Sequence, residues 1–107
     1  MLQVTESMQN RAEEVAAMLH LLGNANRLMI LCRLAEGEAT VSELLSETSL
    51  SQSALSQHLG RMRSQGLVAP RRDGQHVSYR IADPRVASVL ERLYEVYCAP
   101  ESGDAEA

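Results

Sequence analysis

The 107-residue chain has no lysine, no tryptophan, no phenylalanine and only two cysteines. Each shortage excludes something. With Tyr79, Tyr94 and Tyr97 as the only aromatics, aliphatic side chains must fill the core. Hydrophobic residues still make up 45% of the chain, the composition of a folded domain rather than a disordered segment. The length suits one domain and is too short for two independent cores. Two cysteines exclude a disulfide-dense secreted scaffold. The chain reads as cytoplasmic, where thiols are normally reduced and a disulfide is transient and redox-sensing. No apolar run approaches the roughly 18 residues of a membrane-spanning helix, and no membrane partner is expected. The opening MLQVTESMQNRAEEV has neither a basic start nor an apolar signal core. There is no Cys-x-x-Cys, no Cys/His/Asp arrangement and no Gly-rich phosphate loop. An enzyme is therefore not expected, nor is a cofactor.

Periodicity supplies the elements. Val15, Met18, Leu19 and Leu22 recur at helical spacing in a first helix from about Glu6 to Leu22, stopped by Gly23. Asn24 caps a second helix carrying Leu28, Met29, Leu31, Cys32, Leu34 and Ala35, with Gly37 past its end. Thr40 and Glu43 form a capping box for a short third helix, Val41 to Glu47. Ser51 caps a fourth, with stripe Leu55, Leu59 and Met62, running to Gln65 and closed by Gly66. The period then falls to two: Leu67 to Arg72 and His76 to Ile81 flank Asp73-Gly74, a hairpin-turn dipeptide. Asp83-Pro84 starts a last helix striped by Val86, Val89, Leu90, Leu93, Tyr94 and Tyr97, ending at Cys98.

The predicted fold is mainly α with a β-hairpin wing: four helices, two strands, one helix. Two short helices joined by a brief break and followed at once by a hairpin make a winged helix-turn-helix. Residues 1–98 are read as a single DNA-binding and dimerisation domain. Residues 99–107 form an acidic tail expected to be disordered. The terminal helices carry more apolar face than a small core can cover, which predicts a symmetric homodimer through the first and last helices.

The net charge of −4 argues against coating nucleic acid by bulk charge, but the charge is segregated. Residues 1–50 hold three arginines against seven glutamates, and residues 81–107 hold two against six acids. Residues 51–80 reverse this, with Arg61, Arg63, Arg71, Arg72 and Arg80 against Asp73 alone, and with His58 and His76 in the same stretch. Solvated surface arginines are the bland explanation. Their coincidence with the helix-turn-helix favours double-stranded DNA as the partner. Gln52, Ser53, Ser56 and Gln57 occupy the first turns of the fourth helix, where a recognition helix meets base edges. Ser51 serves mainly as a cap. Arg61, Arg71, Arg72, His76 and Arg80 complete the candidate DNA-binding set.

The stretch NRLMILCRLAEGEATVSELLSETSLSQSALSQHLGRMRSQGLVAPRRDGQHVSYRIAD resembles the ArsR superfamily of dimeric winged-helix repressors, above all in SQSALSQHL and GLVAPRRDG. The resemblance runs from about Val15 to Cys98. It implies that the first and last helices form the dimer interface and that an inducer releases the operator. The arsenic-type Cys-x-Cys of the third helix is absent, since Thr40 and Ser42 stand there. The zinc-type Asp-x-His of the last helix is absent too: Asp83 is followed by Arg85 and is read as a helix cap. Cys32 and Cys98 remain, a pairing that looks like the sulfide- and persulfide-responsive branch. That likeness implies a bridge formed by reactive sulfur species or oxidants.

Alternatives stay open on the residues themselves. Cys32 is also a small buried hydrophobe, and the two thiols also suit a thiophilic metal or metalloid, although a structural zinc site wants four ligands. Arg33 follows Cys32, but successive helical residues diverge by about 100°. His20 is read as a surface or interface residue. A winged helix used only for protein interaction is a further class, distinguished by absence of salt-dependent DNA binding. For a polysulfide bridge, the two Cα atoms are expected about 7–11 Å apart, wider than a direct disulfide allows.

Overall fold

The computed structural model describes residues 2–98; the predicted acidic tail, 99–107, lies outside the described residues. Helices α1 (Leu2–Gln9), α2 (Ala12–Leu22) and α3 (Ala25–Ala35) lead to the two-residue strand β1 (Ala39–Thr40). Helices α4 (Val41–Glu47) and α5 (Gln52–Ser64), strands β2 (Val68–Asp73) and β3 (His76–Ile81), and helix α6 (Pro84–Tyr97) complete the order.

The predicted caps form as read. Asn24 accepts from the Arg27 N–H at 3.0 Å, Ser51 from Ala54 at 3.1 Å and Asp83 from Arg85 at 3.0 Å. Thr40 and Glu43 close a reciprocal capping box on α4. Each satisfies an N–H that the first helical turn leaves without an internal partner.

Three expectations are corrected. The first helix is two helices, because the chain turns at Asn10 and Arg11. The Arg11 backbone (φ −121°, ψ 5°) is non-helical, and its N–H donates to the Met8 carbonyl at 3.0 Å. Asparagine favours such a turn over a helix interior, and the apolar spacing used to read the helix begins only at Val15. Within α2 the buried pair is Leu21 and Leu22, while Leu19 is exposed. Second, the sheet has three strands in the order β1-β3-β2, with Ala39 opposite Tyr79 and Thr40 opposite Ser78. A two-residue strand is too short to show a period. Third, Asp73 pairs with His76, so the hairpin turn is Gly74-Gln75 rather than Asp73-Gly74. Gly74 takes φ 64°, the glycine-first pattern of a two-residue turn.

The core lies where α3, α4, α5 and α6 meet the sheet. Ile30, Leu31, Leu44, Leu55, Met62, Val68 and Val86 are its most deeply buried side chains. Burying a side chain of this size is worth roughly 1.5–3 kcal/mol, so this cluster, and not the turns, fixes how α5 is presented. Several large apolar side chains stay outside it: Val4 and Met8 on α1, Leu19 on α2, and Tyr94, Val96 and Tyr97 on α6. No single described helix is long and apolar enough to cross a membrane.

Candidate nucleic-acid interface and dithiol groove

Helix α5 follows α4 after four residues, 48–51, and is anchored by its inner face of Leu55, Leu59 and Met62. At 100° per residue, Gln57, Gly60 and Arg61 then fall on the opposite side and Ser56 on its flank, while Gln52 lies only about 50° from the centre of the inner stripe, in the first turn; all are exposed. Ser53 shares this face, with its hydroxyl 3.5 Å from that of the capping Ser51. Ser53, Ser56 and Gln57 thus share one outward surface, and Gln52 is exposed at the helix start beside it. Arg61 and Arg63 occupy the last turn of the same helix.

The wing brings Arg72, His76 and Arg80 to exposed positions on β2 and β3. Arg71 differs, because its guanidinium is paired with Glu38, Nη2 to Oε2 at 2.7 Å. His58 does not add a positive charge. Burial, then the neighbouring charges of Arg27 and Arg61, push its pKa down from the usual 6.5, and its buried Nδ1 has no hydrogen-bond partner among the described residues. Arg27 was counted in the sequence only as a charge. In the fold it is buried and donates from Nε to the Leu21 carbonyl at 2.9 Å and from Nη2 to that of His20 at 3.4 Å. It thereby satisfies the last carbonyls of α2. An arginine three residues past a helix-capping asparagine was the available signal, and it is a weak one.

The two thiols are both free. Cys32 is half-buried on α3 and packs against the core. It lines a groove of about 370 Å³ together with Glu36, the cap of the same helix, and with Ala87, Ser88, Glu91 and Tyr94 on the other side, so the groove runs between α3 and α6. Cys98 follows Tyr94 by one turn, its N–H donating to the Tyr94 carbonyl at 2.8 Å, and it is exposed. Burial, then Glu36, then Cys98 raise the Cys32 thiol above its ordinary range. Arg33 does not activate Cys32: its Nε turns away to Glu47 at 2.7 Å. Among the described residues, no three His, Cys, Asp or Glu side chains converge to hold a metal.

Comparison with known proteins agrees with the winged helix-turn-helix fold. Residues 24–69 match the family model described as "Bacterial regulatory protein, arsR family". The chain is 43% identical over 95 residues to the biofilm growth-associated repressor of Agrobacterium fabrum, covering 89% of this chain and 81% of that protein. Among solved structures, the transcriptional repressor BigR from Xylella fastidiosa superposes with a TM-score of 0.84 at 40% identity, covering 89% of this chain and 97% of that one. Reduced HlyU from Vibrio cholerae gives 0.81 at 39% identity, covering 88% and 99%. The chain belongs to the arsR family of bacterial regulatory proteins, winged helix-turn-helix regulators of transcription that bind DNA.

Proposed function

We propose that this protein is a homodimeric repressor that releases operator DNA when reactive sulfur species or oxidants bridge Cys32 and Cys98. The observation that carries the reading is the α3–α6 groove: Cys32 and Tyr94 line it, and Cys98 follows one turn past Tyr94 at the end of α6. The chemistry is balanced with a persulfide, RSSH. One cysteine thiolate takes the outer sulfur and RSH leaves; the second thiolate attacks the resulting cysteine persulfide, closing a disulfide as hydrogen sulfide departs. A second RSSH inserts one more sulfur and gives a trisulfide by the same exchange. Each inserted sulfur lengthens the span by about 2 Å.

Exposed apolar side chains on α1, α2 and α6 support dimerisation through the first and last helices. Gln52, Ser53, Ser56 and Gln57 are assigned to base edges, and Arg61, Arg72, His76 and Arg80 to the phosphate backbone. Residues 1–98 act as one unit for both tasks. A cytoplasmic location fits a DNA-binding regulator whose thiols start reduced. The thiophilic-metal alternative is less favoured, because two thiols need further donors to complete a site.

Mass spectrometry of the intact protein after polysulfide treatment tests the reading. Bridged Cys32 and Cys98 within one chain, with loss of DNA binding restored by a reducing agent, is the expected result. Independent modification of each thiol, or a bridged form that binds DNA as before, would overturn it.

A further inference from the structure

At the base of the wing, three elements converge on one carboxylate. Glu38 lies between α3 and β1, one residue past Gly37, whose φ of 147° turns the chain toward the sheet. Its Oε2 accepts from Arg71 Nε at 2.8 Å, while Arg71 Nη2 lies 2.7 Å from the same oxygen. The hydroxyl of Ser78 donates to that oxygen as well. Arg71 and Ser78 stand directly opposite one another across β2 and β3, and Ser78 also faces Thr40 of β1. A residue from outside the hairpin therefore holds both of its strands at one register position. The hydroxyl of Ser78, then the Arg71 fork, keep the Glu38 carboxyl below the usual carboxylate range, with Arg80 adding to the positive surroundings.

The position of this contact matters. Strand β1 covers β3 only at Ser78 and Tyr79, so the wing beyond Arg71 is a two-stranded ribbon, an arrangement marginal in water on its own. Glu38 binds at the junction between the supported and unsupported parts. An exposed ion pair contributes little by itself. Here the shared acceptor also bonds Ser78, a buried hydroxyl whose other acceptor, the Arg71 carbonyl, lies farther off at 3.4 Å, and a buried hydroxyl is costly to leave poorly satisfied.

We infer that Glu38, Arg71 and Ser78 form a clasp that sets the angle of the wing, so that Arg71 is a positioning residue while Arg72 and Arg80 meet the phosphates. This rests on the DNA-binding reading above. A guanidinium whose charge is cancelled by Glu38, with two donors already engaged, displaces no counterion from DNA.

The test is the salt dependence of binding to a mixed-sequence DNA duplex, with amide hydrogen exchange of the free protein as a second arm. R72A and R80A should each reduce the salt slope by about 0.9, a loss of affinity about 3.5-fold smaller between about 50 and 200 mM salt. R71A should leave the slope at the wild-type value. E38Q should steepen it by up to about 0.9 as Arg71 is released, and the E38Q/R71A double variant should return it. Wing amides should exchange faster in R71A and E38A but not in R72A. An R71A slope that falls as R72A's does, or wing protection unchanged by E38A, would overturn the clasp. If the wild type binds no duplex, the DNA reading fails instead, and hydrogen exchange alone decides the clasp.

Discussion

Gly60 occupies the middle of α5 (Gln52–Ser64), where glycine is the poorest choice short of proline. Nothing among the described residues requires it. Its φ is not in the left-handed range, and a Cβ built there meets no atom within 4 Å. Gly60→Ala therefore adds a methyl to open space while removing backbone freedom from the unfolded chain. The gain should be about 0.8–1 kcal/mol per chain, the helix-interior difference between the two residues. For a domain of this size, that corresponds to a rise in Tm of about 4–8 °C. Thermal unfolding in reducing buffer, at fixed protein concentration, measures it. A variant that melts at or below the wild-type temperature would refute the assignment of Gly60 to an unobstructed helical position. Because the methyl stands among Gln57, Ser56 and Arg61 on the outer face, the same variant should bind DNA more weakly despite its greater stability.

Leu55→Ala empties a fully buried site behind the recognition helix and should cost about 2–5 kcal/mol by denaturant titration. His58 has a folded-state pKa below its unfolded value of 6.5. Below pH 6.5 the unfolded chain consequently binds the proton first, and stability should fall with acidification until pH passes the depressed folded value. His58→Gln should flatten that limb in a pH series of unfolding curves. Gln57→Ala should relax base preference at one operator position by about 1–3 kcal/mol, read by competition between operator variants; an unaltered preference would move the reading face off Gln57.

Local signals carried most of the architecture. The caps at Asn24, Thr40, Ser51 and Asp83 are short-range chemistry, each completed within three residues, and they place the starts of α3, α4, α5 and α6 within a residue or so. Where a boundary depended on weak propensity, the reading slipped: the break at Asn10 lies inside a polar stretch with no glycine or proline to mark it. The turn shifted by one residue because a hairpin's register is set by pairing along both strands, not by the dipeptide alone. Features joining distant segments were hidden for a different reason. Arg71 and Glu38 are 33 residues apart, and nothing in either neighbourhood announces the other. The arginine was consequently grouped with the free cations of the wing. Cys32 and Cys98 were linked only through resemblance to a family, since 66 residues separate them and neither sits in a metal or redox motif.

The fold suggests how sulfur chemistry at one end would reach the wing at the other. Cys32 lies near the end of α3, and the same segment continues through Gly37 into Glu38, six residues on. Helix α3 packs against both α6 and β3, and α6 packs against β3 in turn. A bridge to Cys98 would draw the end of α3 toward the end of α6, and the first thing attached to that end is the carboxylate that holds Arg71 and Ser78. A packed core yields in discrete rearrangements rather than by smooth stretching. In the proposed dimer, a small shift of α3 would thus be passed to the angle of the wing and to the spacing between the two recognition helices, without any change in α5 itself. Rigid half-site spacing makes a dimer sensitive to such a change. Bridged protein should therefore show altered hydrogen exchange at β3 and at residues 37–40 while the amides of Leu55 to Met62 stay protected. Loss of protection centred on α5 instead would mean that the bridge acts by loosening the recognition helix, and the route through Glu38 would be wrong.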